Sequence, residues 1–487
     1  MKKQQALMGF ITILTLFFST LTFTSPASAA TEHDEISNMI QENIDKAKIP
    51  SVSASMIRND KVTFIARGKQ SVDKNTLYHI GSTSKAFTAL GILWLEDEGS
   101  LKLDDPVAKY LPWFHVKYNG KTIPDENLSI ANLVYQTSGF TNQENKFPAP
   151  EAKMTLEEYG HALSGAELAS RPSEKYAYAN INYNLLGLII ETVTGKSYAD
   201  FTNDVIFKPL GLHNTYADPL LAEKNGEIIQ GSRLSFFQTH PYDAVIKPAS
   251  IPAGFIISNA KDISRWLQIQ LGIIDVSPQM KHLIEKSHQP DSTQRIDEDT
   301  RYAAGWFVDN DGMIYHSGGT PNYSTNFAIQ PKTGIGTCVL TNINASANTN
   351  LMAENIIHIM EDEPVLSYKP DIWVTIDTIF SIMTFSCIPL LLLTIFLFFR
   401  IKKQYRTGDR MKKVSKKRLV SWLILPVLLL ILAIIFLFVF PAIFSSDWIA
   451  LSVWAPFSIY IGAGSFTLLS LMILATACVA SVYPKNE

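Results

Sequence analysis

The 487-residue chain has only three cysteines, Cys338, Cys387 and Cys478. Two of them fall in long apolar runs near the C-terminus, which leaves Cys338 alone in the polar stretch before them. A disulfide framework is excluded there, so that stretch of roughly 340 residues must be held by burial of a core. Metal-ligand spacing is also missing. The ten histidines include no His-Glu-x-x-His or similar pattern, and no metal or other cofactor is expected. No internal repeat or low-complexity tract occurs, which excludes a repeat architecture.

Positive charge is scarce where a nucleic acid would need it. The segment 400–418 carries ten Lys or Arg and one Asp, a net +9. With +2 before residue 31 and −1 after residue 444, the total of −3 leaves −13 on residues 31–399. An acidic domain repels a polyanion, so no nucleic-acid partner is expected.

Charge is absent altogether from four apolar runs. The run from Ala6 to Phe23 follows Met1-Lys2-Lys3 and leads into Ala27-Ser28-Ala29-Ala30, the pattern of a secretory signal peptide over residues 1–30. Runs 379–399, 419–446 and 449–483 each reach the roughly 20 residues that a helix needs to span a bilayer. These runs predict an extracytoplasmic domain over 31–365, then transmembrane helices over 371–400, 419–444 and 450–483. The basic loop 401–418 between the first two is expected in the cytoplasm, against lipid headgroups. That orientation agrees with a signal peptide sending the polar domain outward, and it predicts a multi-pass cell-membrane protein.

Within the polar domain, periodicity predicts a helix over 36–46 and short strands over 52–58 and 62–67 around the turn Asn59-Asp60-Lys61. An amphipathic helix is expected over 84–98, closed by Gly99, with further helices near 185–194 and 261–271. Late strands are expected at 303–308, 313–316, 325–330 and 337–341. Strands at both ends with helices between predict an α+β domain whose antiparallel sheet is closed by the C-terminal strands.

Ser71 to Lys74 and Ser82 to Lys85 both spell a Ser-x-x-Lys tetrad. The first lies in a turn-like polar stretch. The second follows a strand and a glycine and opens a helix, where one turn brings Lys85 onto the same face as Ser82. Backbone N–H groups at a helix start favour a developing anion. A serine needs a base, and burial could lower the lysine pKa enough to supply one. Two further groups stand out, Tyr178-Ala179-Asn180 before a helical run and His316-Ser317-Gly318-Gly319 on a strand.

In order and spacing, Ser82-Thr83-Ser84-Lys85, Tyr178-Ala179-Asn180 and His316-Ser317-Gly318 resemble the three motifs of the penicillin-binding-protein and class C β-lactamase family of serine hydrolases. The likeness covers about residues 35–360. It implies a β-lactamase/transpeptidase-like fold, an antiparallel sheet with flanking helices plus an all-helical domain. It also implies Ser82 as nucleophile, Lys85 and Tyr178 as proton carriers with the base left open, and Asn180, His316, Ser317, Gly318 and Gly319 as substrate-binding residues. Backbone N–H groups of Ser82 and Gly319 would form the oxyanion hole. Lys332-Thr333-Gly334 also spells a family version of the third motif, but its Pro and Gly flanks predict a turn between two strands. Three departures from the family pattern are His316 in place of a lysine, Gln136 in place of a histidine, and Asn322 in place of a glycine that φ > 0 would favour.

The expected activity is that of an extracytoplasmic serine acyl-hydrolase on a D-amino-acyl peptide amide or a related ester or amide. The partner is a small-molecule or peptide substrate, cell-wall or lipid-linked. One alternative, which the three spans favour by likeness to prodrug-activating peptidases, is removal of an N-acyl-D-amino acid from an exported nonribosomal peptide. Another is a sensor acylated by β-lactams without turnover. The oligomeric state is left open.

Overall fold

The computed structural model describes residues 31–142, 147–291, 295–444 and 446–485. The expected signal peptide lies outside the described residues. A seven-stranded antiparallel sheet runs through the polar domain in the order β2-β1-β9-β8-β7-β6-β5. Its strands are β1 (Ser51–Arg58), β2 (Lys61–Gly68), β5 (Thr300–Tyr302), β6 (Phe307–Asp309), β7 (Ile314–Thr320), β8 (Tyr323–Gln330) and β9 (Ile335–Thr341). A separate hairpin pairs β3 (Ser232–Ser235) with β4 (Gln238–Pro241). As the periodicity predicts, the sheet closes by pairing the first strand with the last, with Ser55 opposite Cys338.

Helices cover both faces of the sheet. On one face lie α1 (Glu32–Ala47) and α5 (Ser346–Met360), whose Ile36, Ile40, Met352 and Ile356 pack with Val52, Ala54 and Val339. The other face meets the larger helical region, with α2 (Ser84–Asp97), α3 (Asn180–Thr194) and α4 (Ala260–Gln270) among its members. Because β9 is buried on both faces, its sequence shows no polar alternation. Fully burying one large apolar side chain stabilises by about 1.5–3 kcal/mol, so a core this size needs no disulfide.

Two expectations within the polar domain need correction. The stretch 303–308 is not one strand: residues 303–306 form the turn joining β5 to β6, closed by a bond from the Ala303 N–H to the Trp306 carbonyl at 2.8 Å, and only 307 and 308 belong to β6. Gly305 takes φ +82° there, and a Cβ on it would lie 2.6 Å from the Cα of Ala86. The turn therefore sits directly against the first turn of α2. That helix is not amphipathic: Ala86, Ala89 and Ile92 are as buried as Phe87, Leu90 and Leu93, because α2 runs through the middle of the domain. Asn322 does not take a positive φ. Its side chain instead donates to the Tyr242 carbonyl at 2.8 Å.

Among the described residues, three helices are long and apolar enough to cross a membrane: α6 (Ile372–Arg406), α7 (Lys416–Ile443) and α9 (Ser458–Val482), with mean hydropathies of 2.5, 3.4 and 2.0. The apolar run expected as a third span over 450–483 is divided. A short helix, α8 (Trp448–Trp454), ends before Pro456, and α9 starts two residues later. Proline at that point removes an N–H and breaks the helix. Helix α9 packs against both α6 and α7. Much of the remaining helix surface is exposed and apolar, as at Leu392 and Phe438.

Candidate active site

The first turn of α2 and the 3-10 turn Gly81–Thr83 before it hold the two expected reacting groups. Lys85 is completely buried. Its Nζ lies 3.0 Å from Ser82 Oγ, 2.8 Å from Asn180 Oδ1 and 2.6 Å from the Ala253 carbonyl. Three acceptors match the three donors of an ammonium. Loss of hydration nevertheless disfavours the charge, and burial holds the Lys85 pKa well below the ordinary lysine range. The serine and lysine thus meet in the geometry expected from their three-residue spacing. Ser71, by contrast, is exposed.

Tyr178 enters from the loop before α3. Its ring lies under Lys85 Nζ, 4.8 Å from the centroid. Burial pushes its phenol well above the ordinary tyrosine range, and a hydrogen bond with Ser82 offsets only part of that. What fixes this loop is Gln136, which is wholly buried at φ +60°. Its carbonyl accepts from the Ala177 N–H at 2.8 Å. Its Oε1 accepts from the Ala179 N–H at 2.9 Å and from Asn182 Nδ2 at 2.6 Å. Gln136 therefore grips the residues on both sides of Tyr178. The sequence marks it only as a departure from the family pattern, and its grip depends on a partner more than 40 residues away.

The third expected group divides. Gly319 lines the same cleft as Ser82, Tyr178 and Asn180, a cavity of about 420 Å³. His316, Ser317 and Gly318 are not among the residues that line it. Gly318 is where β7 crosses the approach to α2: a Cβ on it would lie 2.1 Å from the Ile80 carbonyl oxygen. His316 is buried behind Tyr178 in an aromatic box with Tyr302 and Phe307, at ring-centroid distances of 6.1, 6.1 and 5.0 Å. Its Nδ1 is 2.6 Å from the Ser317 carbonyl oxygen. Burial first, then the charge of Lys85, lowers its pKa to about 3. His316 is therefore neutral at physiological pH and supplies no cationic clamp. Lys332 lies on the exposed turn between β8 and β9, hydrogen-bonded to the Asp311 carbonyl.

The remaining wall of the cleft comes from residues with no motif. Phe147, Pro148 and Pro150 form one side. Val245 and Lys247 also line it, and Val453 and Trp454 of α8 reach it from the tail. No local pattern marks them, because what they share is position around a cavity.

Comparison with known proteins places this chain in a family. Residues 36–360 match the family model described as Beta-lactamase. The chain is 32% identical over 446 residues to Protein flp of Staphylococcus aureus strain MW2, covering 87% of this chain and 86% of that protein. It is 28% identical over 283 residues to Penicillin-binding protein 4* of Bacillus subtilis strain 168, covering 53% and 58% of the two chains. In fold it resembles a class C beta-lactamase, with a TM-score of 0.59 at 21% identity over 69% of this chain and 97% of that one. It also resembles the octameric penicillin-binding protein homologue from Pyrococcus abyssi, with a TM-score of 0.58 at 23% identity over 71% and 80%. The chain belongs to the beta-lactamase and penicillin-binding-protein family of serine hydrolases.

Proposed function

We propose that the chain is a membrane-tethered, extracytoplasmic acyl-hydrolase that cleaves a D-amino-acyl peptide amide, or a related ester or amide, through an acyl-enzyme on Ser82. The observation that carries this reading is the buried Lys85 Nζ at 3.0 Å from Ser82 Oγ, in a cleft of substrate size. As Ser82 Oγ bonds to the substrate carbonyl carbon, its proton passes to the neutral Lys85 amine. The N–H groups of Ser82 and Gly319 receive the oxyanion, a contribution of about 3–4 kcal/mol per donor. When the carbon–nitrogen bond breaks, Tyr178 relays a proton to the departing amine, and water then releases the acyl group. Lys85 suits the role of base better than Tyr178, because burial moves the lysine toward neutral pH and the phenol away from it.

The tail supports the tethered reading. The basic turn after α6 meets the C-terminal end of α9, where Arg410 Nη1 donates to the Tyr483 carbonyl at 2.7 Å. Asp371 and Asp377, at the other end of α6, bond to the hydrolase domain. A helix of 35 residues is about 52 Å long, so the basic turn and the domain stand on opposite sides of a bilayer-sized bundle. The test of the chemistry is labelling by a fluorophosphonate. Ser82→Ala should abolish it and Ser71→Ala should leave it intact, whereas labelling retained by the Ser82 variant would overturn the assignment.

A further inference from the structure

The tail is fastened to the catalytic domain at its cleft. The β3–β4 hairpin ends in Phe236 and Phe237, both with positive φ, 52° and 64°. Bulky residues rarely adopt this conformation. Here the Asp377 carboxylate of α6 accepts both of their N–H groups, each at 2.8 Å, and also the Ser458 hydroxyl at 2.6 Å. Phe385 of α6 packs against both rings. The same hairpin holds α8 and the start of α9. Arg233 Nη1 donates to the Ser452 carbonyl at 2.8 Å, and the Phe457 N–H donates to Ser235 Oγ at 2.8 Å. The next residues of α8 after Ser452 are Val453 and Trp454, which line the cleft.

Resting on the acyl-hydrolase reading above, we infer that α8 is one wall of the substrate site and selects substrates bearing a long apolar chain that enters from the bilayer. Three observations carry this. Helix α8 is too short to span a membrane, yet it lies between two helices that are apolar and long enough to do so. Trp454 is four residues from the start of α9, so a bilayer around α9 would bring its surface to the cleft mouth. Val245 and Val453 leave 61% and 37% of their surface exposed, and Lys247 is the one formally charged side chain among the described residues that line the cleft. An alkyl chain laid across this wall would cover apolar surface that no part of the described protein covers. Each buried methylene strengthens binding roughly fourfold. Asp377 acts as a positioning residue, because it touches the hairpin and α9 and not the cleft.

The experiment uses the full chain in phospholipid nanodiscs and two alkyl fluorophosphonates, one ethyl and one dodecyl. In each case Ser82 Oγ bonds to phosphorus, the phosphorus–fluorine bond breaks, fluoride leaves, and the hydroxyl proton passes to Lys85 and then to water. The readout is the ratio of the two labelling rates at Ser82, measured by mass spectrometry. The wild type should favour the dodecyl probe at least tenfold. Trp454→Ala should reduce the ratio to about threefold or less. Val453→Ser gives the same reading at a partly exposed position if the tryptophan variant does not insert. Asp377→Asn should lower the ratio while leaving labelling by the ethyl probe measurable. Probe partitioning into lipid is common to all variants and cancels between them. Equal rates in the wild type, or a ratio unchanged in the Trp454 and Val453 variants, would overturn the inference and leave the acyl-hydrolase reading standing. A wild type that neither probe labels at Ser82 would overturn both.

Discussion

At the scale of single residues, the site depends on one buried amine. Lys85 has lost its hydration and holds its three acceptors at 3.0, 2.8 and 2.6 Å. Removing an acid–base group from such a position slows acylation by at least about a hundredfold. Lys85→Ala should show that loss in pre-steady-state labelling. Tyr178→Phe deletes one hydroxyl and little volume, so it should fold normally and fall by a similar factor. A near-normal rate in either variant would assign the role to the other residue. The sign of the pH dependence follows from the depressed lysine pKa. With Lys85 as the proposed base, the neutral amine would be the active form, so kcat/KM should rise as pH rises through that pKa, with an acid limb well below the ordinary lysine value. Lys332→Ala removes an exposed turn residue and should shift stability by less than about 0.5 kcal/mol. His316→Ala opens a hole behind the Tyr178 ring and should impair turnover. If Lys332→Ala were folded but inactive and His316→Ala active, the third motif would be misplaced.

At the scale of elements, the loop carrying Tyr178 is held from outside itself. Gln136 Oε1 bridges the Ala179 N–H and Asn182, which ties the loop to the start of α3. Gln136→Ala would leave two buried donors without an acceptor, at about 1–3 kcal/mol each. The variant should melt lower and also lose kcat more than it gains KM, and an unchanged kcat would reduce Gln136 to a purely structural part. This is also where sequence and structure part. The spacing of Ser82 and Lys85 is legible because one helical turn sets it, and the β1–β2 hairpin is legible because its turn is local. The 303–308 stretch misleads, because its two alanines and a tryptophan form a buried turn. Helix α2 also misleads, since a helix buried all round shows no polar face to count. The α8 break at Pro456 lies inside an uncharged run, and hydropathy alone does not see it. Gln136 reaches Ala179 and Asn182, and Phe147, Lys247 and Trp454 share one cleft, only in the folded chain.

At the scale of the whole molecule, neutral burial of histidine makes the fold sensitive to acid. Burial lowers the His79 pKa to about 4 and the His316 pKa to about 3, against 6.5 for the free side chain. The unfolded chain therefore binds more protons than the folded one below about pH 6.5. Stability present above that value is lost as pH falls toward the folded values, by up to about 1.4 kcal/mol per pH unit for each histidine. Asp262 and Asp309, whose pKa values burial raises, act in the opposite sense. The clean measurement is a difference. His79→Gln should flatten the slope of melting temperature between about pH 6 and 4.5 relative to wild type, and an identical slope would show that His79 is not the source.

Besides the cleft wall, the described residues of the tail are hydrogen-bonded to the catalytic domain at two places. One is the strand hairpin on Asp377. The other is the connecting segment, where Asn355 exchanges hydrogen bonds with Leu366 at 3.1 and 2.7 Å and Asn348 bonds to the Lys369 carbonyl at 3.1 Å. Two points of attachment leave no free swivel between cleft and bundle. A domain on a loose tether sweeps a volume set by the length of its linker. This one is held at a single height. With its bundle in a bilayer, it patrols a plane and does not reach into the space above it. Spreading the same molecules over twice the membrane area then halves their encounters with anything carried in that membrane, while diluting the surrounding water leaves those encounters unchanged.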